Sequence, residues 1–222
     1  MDVTEAIAAR RSVRGFLDTP IDPALLRDIA IKASRAATGG NLQPWHIAIV
    51  QGDAMTGLKA IMAEKIVTGA TDETPAYDVY PRDLAAPYRD RRYAFGEAMY
   101  AHIGIPRDDR PARYKWFARN FEFFGAPAAY FCTVDRRMGP PQWSDLGVYL
   151  QNLMLLAVDA GLATCPQECW AMYPETVGRV LDLPEDRVLF CGVAIGYEDK
   201  SAPANALRTE RADEVEWLTV IV

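Results

Sequence analysis

Histidine is almost missing from this chain of 222 residues, which holds two, His46 and His102. The four cysteines, Cys132, Cys165, Cys169 and Cys191, include no Cys-x-x-Cys pair. Together these scarcities exclude a zinc site of ordinary ligand spacing, and no metal is expected. They also leave no histidine beside a thiol to activate it. Cys132 and Cys191 lie in apolar, strand-like runs and read as buried free thiols. Uninterrupted apolar runs of the ~18 residues that a membrane span requires are lacking, so no membrane partner is expected. The opening Met-Asp-Val-Thr-Glu is acidic from its second residue and unlike a secretory signal, and a cytoplasmic location follows by default. A net charge of -6 argues against nucleic acid as a partner. Finally, the chain has neither a glycine-rich phosphate loop nor Gly-x-Gly-x-x-Gly after a strand, which excludes a separate nicotinamide domain.

What the chain does have begins with ordinary globular composition, 50% hydrophobic and 24% charged, at a length that one domain fills comfortably. Thr4 is placed to cap a short helix over Glu5 to Arg10. Asp22-Pro23 opens a helix to about Ala36, with Leu25, Ile29 and Ala33 marking its buried face. Trp45 to Val50 reads as a strand, followed by a helix over about Met55 to Lys65. Ala128 to Val134 reads as a second strand. Ser144 is a plausible cap for a helix to Ala160 that ends at Gly161. That helix is apolar nearly all round and must be enclosed, as a core element, at a subunit interface, or both. Pro174 to Leu183 gives a further helix and Arg187 to Ile195 an apolar strand. The apolar tail Glu214 to Val222 is expected to pair with a strand, in this chain or in a partner subunit.

Residues 68–120 differ in character. Tyrosine, proline and arginine are frequent and the hydrophobic period is lost. Between Arg82 and Arg119 stand nine Lys/Arg against five Asp/Glu, a positive excess of four on an acidic protein. Two readings stay open: a solvated insertion of salt-bridged short helices, or a lid that attracts anions and contacts substrate. With no internal repeat and no linker, the chain reads as a single domain, 1–222, with this lid or insertion inside it.

Three clusters carry chemistry. Arg10-Arg11-Ser12-Val13-Arg14 and Arg208-Thr209-Glu210-Arg211 lie at opposite ends of the chain. Guanidiniums present a planar fork of donors that matches phosphate oxygens, and a serine hydroxyl adds another donor. Such side chains form an anion site only if the two ends meet in space. Next, Thr38-Gly39-Gly40-Asn41-Leu42-Gln43-Pro44 combines permissive glycines with amide and hydroxyl groups. Third, Gly161-Leu-Ala-Thr-Cys-Pro166-Gln167-Glu168-Cys169 places a proline in a strand-like run, where it is expected to interrupt the run and free the following N–H groups to face a site.

The combination resembles the flavin-dependent nitroreductase family. The resemblance rests on Arg-Arg-Ser-Val-Arg, Asn-Leu-Gln-Pro-Trp-His, Gly-Leu-x-x-x-Pro-x-Glu and the terminal Arg-x-x-Arg, and it runs from about residue 4 to residue 212. Tyr88-Arg-x-Arg-Arg, Gly104-Ile-Pro-Arg-x-Asp and Asn120-Phe-x-Phe-Phe-Gly-Ala-Pro127 are similar to a branch of nitroaromatic and nitrobenzoate reductases. The resemblance implies an α+β fold, a central mostly antiparallel sheet flanked by helices, in an intertwined homodimer with an exchanged C-terminal tail. It implies FMN at the subunit interface. Arg10, Arg11 and Ser12 would hold the phosphate and ribityl chain with Arg208 and Arg211, and Arg14 would approach the pyrimidine edge. Thr38, Gly39 and Asn41 would come from the other subunit, with Gln43 in the same loop. Pro166 and Gln167 would pack near the ring, and the N–H groups of Glu168 and Cys169 would address N5 and O4. Cys169 stands where many relatives have glycine, and the terminal arginines are three apart where Lys-x-Arg is frequent.

The implied activity is a ping-pong oxidoreductase in which NAD(P)H is the co-substrate and a nitroaromatic or quinone is the small-molecule acceptor. The flavin carries the chemistry and no side chain is required as catalytic base, in keeping with the scarcity of histidine. Two other readings remain: a reductive dehalogenase or other oxidoreductase on the same fold, and a non-catalytic flavin-binding regulator.

Overall fold

A computed structural model describes residues 1–69 and 73–222. Four strands, β1 (Trp45–Gln51), β2 (Ala128–Asp135), β3 (Ala163–Gln167) and β4 (Arg187–Gly196), form one sheet in the order β1-β2-β4-β3, with every neighbouring pair antiparallel. Helices cover it: α1 (Val3–Ala9), α2 (Pro23–Ala33), α3 (Gly52–Thr68), α4 (Tyr88–His102), α5 (Arg110–Ala118), α6 (Pro140–Asp159) and α7 (Pro174–Leu181). The architecture is α+β, with the antiparallel sheet that the resemblance implies.

β2 is buried over its whole length because both faces of the sheet are covered. Its side chains alternate between two cores. Ala129 and Phe131 meet Met55, Leu58 and Met62 of α3 together with Phe121, Phe123 and Trp170. Tyr130, Cys132 and Val134 meet Leu26 and Ile29 of α2 and Leu146, Tyr149 and Leu153 of α6. A bulge between Cys132 and Thr133 shifts the register against β4, and Leu189 and Cys191 accordingly lie in different cores although they are two residues apart. Gly192 of β4 is fixed by sterics, since a Cβ there would lie 2.5 Å from Cδ1 of Trp170.

Several expected boundaries shift for identifiable reasons. α1 is capped by Asp2, not Thr4: Asp2 accepts from the Glu5 N–H at 2.8 Å while Glu5 accepts from the Asp2 N–H at 2.9 Å. α2 ends at Ala33, and Leu26, not Leu25, is fully buried. α6 begins at Pro140, where two prolines preset the first turn, and Ser144 lies inside it, donating to the Pro141 carbonyl at 2.6 Å. Pro166 does not interrupt a strand. It pairs with Val193 inside β3, and an edge strand tolerates the missing donor.

α6 buries Leu146, Tyr149, Leu150, Leu153, Met154 and Ala157, but Val148 on its other side stays 42% exposed. Its own chain therefore encloses it only in part. The tail beyond Glu214–Glu216, a short 3-10 turn, pairs with no strand among the described residues, and Trp217, Val220 and Ile221 are exposed. In the 68–120 region, residues 70–72 lie outside the described part. The remainder is helical at α4 and α5, of which only Met99 is buried.

Candidate functional site

The two ends of the chain meet. After α1 the backbone runs beside the edge strand, with Val13 N–H donating to the Thr164 carbonyl at 2.9 Å, and Leu17 N–H donates to Tyr197 at 2.9 Å. Asn205, buried in the turn Pro203–Ala206, ties this stretch to the C-terminal part. It accepts from Arg14 N–H at 2.7 Å and donates to the Gly15 carbonyl at 2.9 Å. Arg10, Arg11, Ser12 and Arg14 thereby line one cavity of about 600 Å³ with Arg208 and Arg211. Arg11 pairs with Glu198, while its Nε is buried without a partner among the described residues. Five guanidiniums line this cavity and, among the described residues, no carboxylate does, a charge balance suited to an anion.

A second cavity of about 390 Å³ adjoins it, since Arg14 and Phe95 line both. Its floor is the end of β3 and the 3-10 turn Glu168–Met172: Pro166, Gln167, Glu168 and Cys169. The opening N–H groups of a helical turn have no partner within it and are available to a ligand. Phe95 and Arg92 of α4 line it as well, together with Phe124 and Asn120. Phe123 and Phe124 both adopt left-handed backbone, φ 52° and 53°, unusual for bulky residues. Phe123 thereby stacks on Trp170 at 4.7 Å beneath the floor, and Phe124 reaches the cavity wall. Gln167, almost fully buried, donates to the carbonyl and side-chain oxygen of Asn120 at 2.7 and 3.2 Å, and its own Oε1 has no partner among the described residues. A flat ring with an N–H on its edge would satisfy that oxygen, and a phosphate in the first cavity would satisfy Arg11 Nε.

Thr38, Gly39, Asn41 and Gln43 line neither cavity of their own chain. They form an exposed turn beside α6, where Gly39 N–H reaches Asp145 at 3.4 Å. All the other anticipated site residues border one of the two cavities. Neither histidine lines them. Burial pushes the Cys165 thiol up to about 11 and raises Cys169 further still, so neither is a thiolate at neutral pH. Sequence reasoning missed Phe95, Asn205 and Glu198, which no motif marks, and left Asn120 unassigned.

Among the described residues no helix is long and apolar enough to cross a membrane, and no group of three His, Cys, Asp or Glu could hold a metal ion. The profile of the nitroreductase family matches residues 7–197. The chain is 36% identical to a 4-nitrobenzoate reductase of Pseudomonas putida over 95% of its length and 91% of that protein. It is 32% identical to a nitrobenzene nitroreductase of Ectopseudomonas oleovorans over 99% and 96%. Among solved structures it is similar to the FMN- and NADPH-dependent nitroreductase NfnB of sphigopyxis sp. strain HMH, with 47% identity, a TM-score of 0.97 and complete coverage of both chains.

Proposed function

The chain belongs to the nitroreductase family, and on that premise we propose that it is an FMN-dependent oxidoreductase that uses NAD(P)H to reduce nitroaromatic or quinone-type acceptors. The observation that carries the reading is the pair of adjoining cavities, one lined by guanidiniums from both chain ends, the other by the end of β3 and aromatic side chains, with Arg14 lining both. The residues fit FMN. Arg10, Arg11, Ser12, Arg208 and Arg211 would hold its phosphorylated tail, and Pro166, Gln167, Glu168 and Cys169 its ring. When bound, FMN would supply the redox chemistry that links NAD(P)H to the acceptor.

The protein's own tasks are binding, charge and exclusion of water. Arg14, held by its backbone to Asn205 and with its guanidinium 5.3 Å from the Phe95 ring, would place positive charge beside the ring where negative charge accumulates on reduction. Gln167 Oε1 would accept an N–H from the ring edge, fixed in direction by its bonds to Asn120. The apolar faces of Phe95 and Phe124 would keep water from the reacting ring. The relatives named for 4-nitrobenzoate and nitrobenzene favour nitro reduction over dehalogenation.

The active unit would be a homodimer. Supporting this are the exposed Val148 side of α6, the unpaired apolar tail, and the Thr38–Gln43 turn, which would meet the partner's ring cavity. The 73–120 segment would act as a lid over that cavity. A visible absorption spectrum of the purified protein tests the cofactor directly, with flavin bands near-stoichiometric with the chain as the expected result. A colourless protein that takes up no added FMN would overturn the proposal.

A further inference from the structure

The cations of residues 73–120 are sorted by what they touch. Arg82 bonds to Asp78 at 3.1 Å, Arg89 to Asp90 at 2.9 Å and Arg91 to Glu216 at 2.6 Å. Arg113 grips Glu97 with two bonds of 2.6 and 2.9 Å. Arg107 stacks over Tyr93 and Arg119 over Trp116, and neither these two nor Arg110 and Lys115 border the ring cavity. Arg92 stands apart. It lines the ring cavity from α4, and its Cζ lies 3.9 Å from the ring centroid of Tyr80, another cavity residue. Among the described residues it makes no hydrogen bond and no ion pair.

That arrangement is suited to recognition. A guanidinium laid face-on to an aromatic ring gains cation–π attraction while its N–H donors, which lie in its plane, stay available at the edge. The stack also restricts the side chain before any ligand arrives, so less freedom is lost on binding. Among the described residues Glu168 is the only carboxylate on the cavity lining, and it forms no ion pair with Arg92. Arg14, the other cation there, is committed to the junction between the cavities, with its guanidinium bonded to the Ser12 carbonyl at 3.3 Å.

We propose that Arg92 is a specificity-determining residue through which the ring cavity selects molecules carrying an anionic oxygen group. That group is either a carboxylate on an aromatic acceptor or a phosphate on the reductant. The inference rests on the flavin reading above, and it explains how a cavity that admits two molecules in turn can recognise one of them by charge.

The test measures kcat/KM for 4-nitrobenzoate against nitrobenzene, and for NADPH against NADH, in the wild type, Arg92→Gln and Arg92→Lys. Binding of benzoate, a carboxylate that cannot be reduced, is followed beside benzamide through the flavin absorbance. Loss of one charge-assisted hydrogen-bond partner predicts a fall of about ten- to a hundredfold in one of the two preference ratios in Arg92→Gln. A fall in the nitrobenzoate ratio, with benzoate binding weakened alike, assigns the carboxylate. A fall in the NADPH ratio assigns the phosphate. Partial recovery in Arg92→Lys, which keeps the charge and loses the planar fork, supports either assignment. Both ratios within twofold of wild type in a yellow, folded Arg92→Gln overturn the inference and leave the flavin reading intact. A colourless Arg92→Gln beside a yellow wild type also overturns it, because Arg92 would then be a cofactor anchor. A wild type that binds no flavin defeats the underlying reading instead.

Discussion

The β3 floor of the ring cavity and its α4 wall are made by different means. Beneath the floor lies packed aromatic core: Trp170 stacks on Phe123 at 4.7 Å and meets Phe121 and Phe131 edge-on, both at 5.2 Å. The other wall is α4, which buries only Met99 and is held largely by cations on rings and carboxylates, Arg113 on both Tyr100 and Glu97 among them. Close-packed interiors transmit strain and resist displacement, whereas exposed polar and cation–π contacts are individually weak. A floor of the first kind suits a permanently held ring. A wall of the second kind suits two occupants that take turns. The tail cavity belongs with the floor, since backbone bonds and the buried Asn205 stitch its walls together.

That contrast can be broken at the floor. Trp170→Ala removes the largest fully buried side chain there and should lower unfolding free energy by ~3–5 kcal/mol, read from urea denaturation. A loss below ~1 kcal/mol would mean that the floor is not rigid core.

Next in size are two arginines of the tail cavity, Arg10, which borders that cavity only, and Arg14, which also borders the ring cavity. Arg10→Ala should raise the FMN dissociation constant about ten- to a hundredfold and change the reduction rate of the loaded protein little. Arg14→Ala should do the reverse, slowing reduction more than it lowers occupancy. Equilibrium dialysis and stopped-flow reduction by NADPH separate the two, and equal effects on both would show the guanidiniums to be misassigned.

The smallest effect concerns the foot of the wall. Glu73 accepts from the N–H groups of Glu175 and Thr176 at 2.7 and 3.0 Å, from the Thr176 hydroxyl, and from Lys65 at 3.1 Å. It thus ties the start of the segment to the N-terminus of α7. Burial alone would raise its carboxyl, but the hydrogen bonds led by Thr176 outweigh that and hold it below 4.5. A depressed pKa contributes stability that is complete above about 4.5 and fades as pH falls through the lower folded value. Glu73→Gln should therefore cost ~1–2 kcal/mol at pH 7 and flatten the loss of stability below pH 4.5. An unchanged acid profile in the variant would remove Glu73 as the tie.

Most of the sheet was legible because alternation and apolar runs are local. The expected strands 45–50, 128–134 and 187–195 each differ from the observed ones by a single residue at the end. Caps were less legible, since several residues compete: Thr4 and Ser144 are good caps by type, and Asp2 and the Pro140-Pro141 pair stand earlier in the chain. The Pro166 error came from reading proline as a strand breaker when its position at the sheet edge, which is a tertiary fact, makes it harmless.

Sequence alone determined the chemistry on offer: arginines grouped at both ends, only two histidines in the chain, and motifs in the order of one flavoprotein family. Only the folded chain decided that the two ends share a cavity, through Asn205, and which of nine cations in the 82–119 stretch borders the second cavity. Composition counts charges but is blind to their partners. Whether a guanidinium is spent on a carboxylate or left available to a ligand depends on distances of a few ångströms between residues that can lie more than a hundred positions apart, as Arg91 and Glu216 do.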